Sequence, residues 1–295
     1  MLAESAFPPY QPHLEVWLLV AALAGLAVYV ARVIQPKAVA AGHAPITLHQ
    51  KVWFWSALAV FWVATDYPIH DIAELRLYSV HMVQHFLLTL VVPPMMLMAT
   101  PTWLARLVIG GGAFRRFVYF WAKPLPAVIV YNLLIAATHA SPVVNNSIRY
   151  AWLHYGVHTL IVFSSFLVWM CICGPIPELR VAPPMKMVVL FLMSVIPTIP
   201  ASFLAAAAGV IYQGYNHGPR LWGVDITDDQ QMAGVVMKVL TGFYLWTIIA
   251  VVFFRWAFGE KGERQQFRGK LVTADGQVVD DPGAVETVPG PDPVA

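Results

Sequence analysis

Charge is what this chain lacks most. Only 12% of its 295 residues are Asp, Glu, Lys or Arg, against 59% hydrophobic, whereas soluble domains carry roughly a quarter charged residues. Mean hydropathy is +0.65. That balance excludes an ordinary soluble domain and indicates an integral membrane protein. The net charge of +2 leaves no basic surface for a nucleic-acid partner, so any information in the charges lies in where they sit. Cysteine is nearly missing too. Cys171 and Cys173, the only two, are too close for comfortable bridging within one helix and cannot make a disulfide framework. Residues 1–13 contain neither Lys nor Arg, and the apolar run that follows is about as long as a membrane span, so no cleavable signal peptide is expected. Gly110-Gly111-Gly112 has no following Lys-Ser/Thr and reads as a loop hinge, not a phosphate cradle; no HExxH is present either.

What is present is a series of seven apolar runs, about 14–34, 52–66, 77–99, 125–139, 150–173, 186–211 and 230–256. The fourth is short and begins Lys-Pro-Leu-Pro, so it either extends upstream through Phe117 to Trp121 or tilts little. Loop charges give the orientation, because short cytoplasmic loops concentrate Lys and Arg. Fourteen basic residues fall in one alternate set of loops, from Arg32 and Lys37 to the C-terminal cluster ending at Lys270. Three (Arg76, Arg149, Arg220) fall in the other set, and Lys238 lies inside the last run. The expectation is an all-α membrane protein of seven transmembrane helices, with the N-terminus outside and the C-terminus cytoplasmic. Residues 1–258 would form the transmembrane domain. Residues 259–295 would be a basic juxtamembrane segment touching anionic headgroups, then a disordered tail with too few large apolar residues for a core.

Orientation turns scattered histidines into a pattern. His81 and His85 in the third run, and His154 and His158 in the fifth, are i, i+4 pairs that each share one helix face, and both runs enter from outside. His70, His139 and His217 fall on the same side, as do Asp66, Asp225, Asp228 and Asp229. Ionisable groups inside a membrane cost several kcal/mol unless they face a partner or cavity, and imidazole is the commonest metal ligand. The bland alternative is that each histidine is polar glue between helices. It suits one lone histidine better than two pairs at matched depth. The expected metal ligands are His81, His85, His158, His154 and Met82, with Asp66, Gln84, His139, Asp229, Gln230 and Lys238 as supporting positions. In the Thr227-Asp228-Asp229 junction, Thr227 or Asp228 is expected to cap the seventh helix, and Asp229 to reach a histidine and fix its tautomer. Lys238, about two turns deeper, needs a carboxylate, a carbonyl or water. Pro93 and Pro94 remove two backbone donors and should kink the third helix, as Pro197 and Pro200 should the sixth. Cys171 and Cys173 point to different faces, and Met95, Met96 and Met98 read as flexible packing.

The run SVHMVQHFLLTLVVPPMMLMATP, with Asp66 upstream, HTLIVFSSFLVWMCICGPIP in the fifth run and YQGYNHGPRLWGVDITDDQQMAGVVMK before the seventh, resembles the polytopic CtaG-type cytochrome c oxidase assembly factors. These are distinct from the single-span copper chaperone of the same name. The resemblance covers about residues 50–256. By motif position it carries over Asp66, His81, Met82, Gln84, His85, Pro93, Pro94, His158, Asp229, Gln230 and Gln231; His154 and His139 come from spacing and depth alone. Thr100 stands where the family pattern suggests glycine. The resemblance implies a seven-span protein of the bacterial cell membrane that serves haem-copper oxidase assembly without turning over a substrate. Its cofactor would be copper destined for oxidase subunit I, received from an extracytoplasmic copper donor. Two alternatives remain at this stage. One is a bis-histidine haem b electron carrier, with one ligand from each pair. The other is a seven-span zinc hydrolase using three histidines and an acid.

Overall fold

The computed structural model describes residues 7–216, 220–268, 270–272 and 278–280. His217 and most of the tail read as disordered lie outside the described residues. In chain order the helices are α1 (Leu14–Ala40), α2 (Leu48–Thr65), α3 (Ile69–Leu75), α4 (Tyr78–Ala99), α5 (Thr102–Ile109), α6 (Gly112–Trp121), α7 (Pro124–Thr138), α8 (Ser141–Arg149), α9 (Ala151–Cys173), α10 (Pro183–Ala205) and α11 (Ile226–Phe258). Contacts divide the chain into two units, Met1–Ile249 and Ala250–Ala295; the second holds the end of the last helix and the antiparallel pair β1 (Lys270–Val272) and β2 (Val278–Asp280).

Five helices (α1, α4, α9, α10 and α11) are long and apolar enough to cross a membrane unaided. A sixth crossing arises if α6 and α7 count as one, although they bend by 78° where Lys123 precedes Pro124. The upstream extension anticipated for the fourth run therefore exists as a helix with a different axis. The residue before a proline is driven out of the α region, and Lys123 is extended, with φ −65 and ψ 146. The second run is the 18-residue α2, which opens on a Thr47–Gln50 capping box and carries His49, Gln50 and Lys51 in its first turn. That polar turn explains why it is not among the five.

The sixth run is shorter than its apolar sequence suggests, because α10 stops at Ala205. Beyond it Gln231 donates to Ala207 O at 2.8 Å, and Gln230 clamps residues 211–212, accepting from Ile211 N (3.0 Å) and Tyr212 N (3.2 Å) and donating to Tyr212 O (3.0 Å). Gly234 lets α10 and α11 meet closely: a Cβ there would lie 2.5 Å from Ala205 N.

The expected proline kink in α4 is absorbed locally. The helix runs from Tyr78 to Ala99 through one π-helical turn, Leu87–Val91, which ends one residue short of the Pro93–Pro94 pair. The carbonyls four residues before the prolines, Thr89 O and Leu90 O, lose their helical donors. Ser165 Oγ and Trp169 Nε1 (3.1 Å) of α9 donate to Thr89 O, and Tyr244 Oη of α11 donates to Leu90 O at 2.9 Å. The prolines thus weld α4 to its neighbours. The same α4 and α9 are the most internal spans, with 56% and 50% of their apolar windows buried, against 6% for α1 and α11. A site on α4 and α9 is therefore held by the firmest part of the bundle.

Candidate metal centre

The start of α4 is set by a residue from another helix. Asp229 of α11 accepts from Tyr78 N (2.7 Å), Ser79 N (3.0 Å) and Ser79 Oγ (2.6 Å), and is itself buried. It satisfies donors that a helix N-terminus leaves free. This corrects the expectation that Asp229 would orient a histidine: both carboxylate oxygens are committed to the end of α4. The cap of α11 is likewise neither Thr227 nor Asp228. Asp225 does it, accepting from Thr227 N at 2.9 Å.

About one and two turns on from that anchored end stand His81 and His85. Their Nε2 atoms are 2.9 Å apart, and the facing pair from α9 closes on them, with ring centroids 4.5 Å apart for His85–His158, 5.3 Å for His81–His158 and 4.2 Å for His154–His158. Potential ligand atoms of His81, His85 and His158 all lie within 4.8 Å of one another. A residue missed in the sequence completes the arrangement. Glu74, on the short α3, has Oε1 at 3.2 Å from His81 Nδ1 and 3.0 Å from His154 Nε2, and forms a second such trio with His154 and His158. His81 links the two, its Nδ1 toward Glu74 and its Nε2 toward His85. Burial pushes the Glu74 carboxyl up, but contact with His154 and His81 outweighs it and holds the group well below the usual carboxylate range. The available signal was a lone glutamate two turns before the first histidine pair.

Other anticipated residues are distributed unevenly. Met82 and His139 line a cavity of about 20 Å³ together with His81, His85, His158 and Tyr215, about the space one water needs. His139 donates through Nδ1 to Ile135 O at 2.6 Å. Asp66 faces elsewhere: it accepts from the indoles of Trp17 (2.8 Å) and Trp62 (2.7 Å) and from Tyr67 N (2.9 Å). Partial burial raises its carboxyl, and these three bonds outweigh that and lower it. Gln84 holds α4 to the end of α2 and to α3, donating to Ala64 O (2.7 Å) and His70 Nδ1 (3.1 Å). Gln230 braces the 211–212 segment, as described above. Lys238 sits on a π-helical turn of α11 (Val236–Leu240), exposed, with no side-chain partner found among the described residues. His70 meets His13 edge to face at 4.9 Å, and His13 Nε2 lies 3.0 Å from the buried Asp71 carboxylate. His49 pairs with Trp53.

With this geometry in view, the profile describing the cytochrome c oxidase caa3 assembly factor matches residues 27–258. The chain belongs to that family. Comparison with curated proteins and with solved structures finds no match. Membership makes this a membrane protein that acts in cytochrome c oxidase assembly and associates with the oxidase and the bilayer.

The site residues fit a cation. Buried polar groups are nearly always hydrogen-bonded, yet His81 Nδ1, Glu74 Oε1 and His139 Nε2 are all buried without a hydrogen-bond partner. Glu74 Oε1 lies within ion-pair distance of His81 Nδ1 and His154 Nε2 but lacks hydrogen-bonding geometry to either, as donors aimed at a shared ion would. Imidazole suits copper, zinc and iron, and a thioether at the margin favours cuprous copper.

Proposed function

We propose that the chain crosses the membrane seven times, with α2 and the α6–α7 pair as the additional crossings, the N-terminus outside and the C-terminus in the cytoplasm of a bacterial cell membrane. It binds a copper ion as cargo through His81, His85 and His158, with His154 and Met82 beside them, in the outer half of the bilayer. The ion passes from an extracytoplasmic copper donor to subunit I of a haem-copper oxidase, and no substrate is turned over. The observation that supports this reading most is the convergence of imidazoles from α4 and α9 on one small cavity. The family's assembly role gives the ion its destination. Haem b is disfavoured by the same geometry. A porphyrin needs an open slot between its two axial histidines, whereas these rings touch one another around a cavity of about 20 Å³.

The test is elemental analysis and an absorption spectrum of the detergent-purified protein beside a His81→Ala/His85→Ala variant. Copper bound by wild type and depleted in the variant, which keeps only Glu74, His154 and His158 as a weaker donor set, is the expected result. A Soret band, or stoichiometric zinc instead of copper, would overturn it, as would equal metal in both proteins.

A further inference from the structure

We infer that the histidine cluster contains two overlapping three-donor positions for a single cation. The outer one is formed by Glu74, His154 and His158 and loads first. The inner one is formed by His81, His85 and His158, and His158 is the ligand that passes the ion between them. This rests on the cargo reading above and extends it from a site to a route.

Two independent observations carry the inference. The first is ligand geometry, since each trio brings one atom per residue within 4.8 Å of the others, and His158 is the residue they have in common. The second is the shape of the surrounding space. An open, largely apolar groove along α1, α2 and α9 reaches Glu15, His70, Gln84, His154 and His158, but not His81 or His85. The small inner cavity reaches His81, Met82, His85, His139 and His158, but not His154. His158 is the single residue lining both, so an ion arriving by the groove meets His154 and His158 before it can meet His81 and His85.

The donor chemistry gives the step a direction. The outer trio includes a carboxylate, whose negative charge offsets the cost of bringing a cation into a low-dielectric site. The inner position lacks that carboxylate and has the Met82 thioether at its wall, a softer surrounding that favours cuprous copper. Transfer exchanges ligands on the ion and moves no electrons: bonds to Glu74 and His154 break as bonds to His81 and His85 form, with His158 bound throughout. Because the two positions share a ligand, the protein should hold one ion per chain and not two.

The full-length protein in detergent is titrated anaerobically with cuprous ion held by a chromophoric chelator, and uptake is followed by stopped flow. Wild type should take one ion. His85→Ala removes only an inner ligand and should still bind one ion at the outer position, about 10–100-fold more weakly, the range seen when a metal site loses support. Glu74→Gln should bind one ion with near wild-type affinity but take it up at least about tenfold more slowly, and Glu74→Asp should recover part of that rate. His158→Ala should bind none while keeping wild-type helical content. A His85→Ala protein that is folded yet binds no copper, a Glu74→Gln protein that loads at the wild-type rate, or two ions in wild type would each overturn the two-position route. Absence of copper from wild type would instead overturn the cargo reading beneath it.

Discussion

A single carboxylate can serve either chemistry or architecture, and Asp229 and Glu74 separate the two. Asp229 spends both oxygens on three donors at the start of α4. Charged hydrogen bonds are worth about 1.5–3 kcal/mol and buried amides left unpaired cost a similar amount, so Asp229→Ala should destabilise the protein by about 3 kcal/mol. Thermal melting of detergent-purified protein measures this, and an unchanged midpoint would deny the capping role. His13 offers a pH-dependent counterpart outside the spans. Burial lowers its pKa, but the hydrogen bond and charge of Asp71, with Glu15 beyond, outweigh that and raise it above 6.5. A raised folded-state pKa means the stabilisation is complete below the ordinary histidine value and disappears as pH rises through the folded one. The gap in melting temperature between wild type and His13→Asn should therefore close as pH rises from about 6.5 through the raised folded-state value. A gap that widens with pH would contradict the pair.

At the scale of the element, α4 shows how a proline pair can strengthen a bundle. Pro94 frees Leu90 O, and the Tyr244 hydroxyl takes it. Tyr244→Phe should cost about 1 kcal/mol, within the range for interhelical hydrogen bonds in membranes. In a Pro94→Ala background a backbone donor returns, the hydroxyl becomes redundant and most of that cost should vanish. A double-mutant cycle on unfolding measures the coupling, and additive effects would show that the tyrosine does not replace the missing donor. The same helix shows what sequence can and cannot convey. Its histidine pair is legible because i, i+4 spacing fixes a shared face whatever the tertiary contacts, and the partner pair on α9 follows by the same rule. Glu74 is not legible in this way. It sits on the seven-residue α3, too short for a periodic signature, and reaches the site only because the chain folds back between α3 and α4. Asp229 misleads for a related reason, since proximity to its own helix start suggests one role and a contact 151 residues away decides another.

At the scale of the whole molecule, the open question is how many times the chain crosses, and the two short elements decide it. α7 has 15 residues, about 22 Å at 1.5 Å per residue, against a hydrocarbon core of about 30 Å. α2 begins on a polar turn. Neither would be read as a span alone, and the proposed seven-span orientation rests on both: fourteen basic residues collect on one side only if the chain crosses at α2 and again at α7. Single cysteines in a Cys171→Ser/Cys173→Ser background, probed on intact cells with a membrane-impermeant maleimide, test each crossing. Tyr10→Cys and Arg149→Cys should label, whereas Lys37→Cys and Arg116→Cys should not. Lys37 and Arg116 flank α2 and α4, so their shared protection requires two crossings between them; were α2 only a surface helix, the two would lie on opposite sides and one would label. Arg116 lies within α6 and Arg149 ends α8, beyond α7, so labelling at Arg149 alone requires the chain to cross between them. The same pattern places the α4 histidines nearer the outer face, because α4 then starts outside at Tyr78 and descends only about 10 Å over the seven residues to His85. Labelling at Lys37 with protection at Tyr10 would invert the protein and direct its cation site toward the cytoplasm, which would remove the extracytoplasmic copper donor from the proposal.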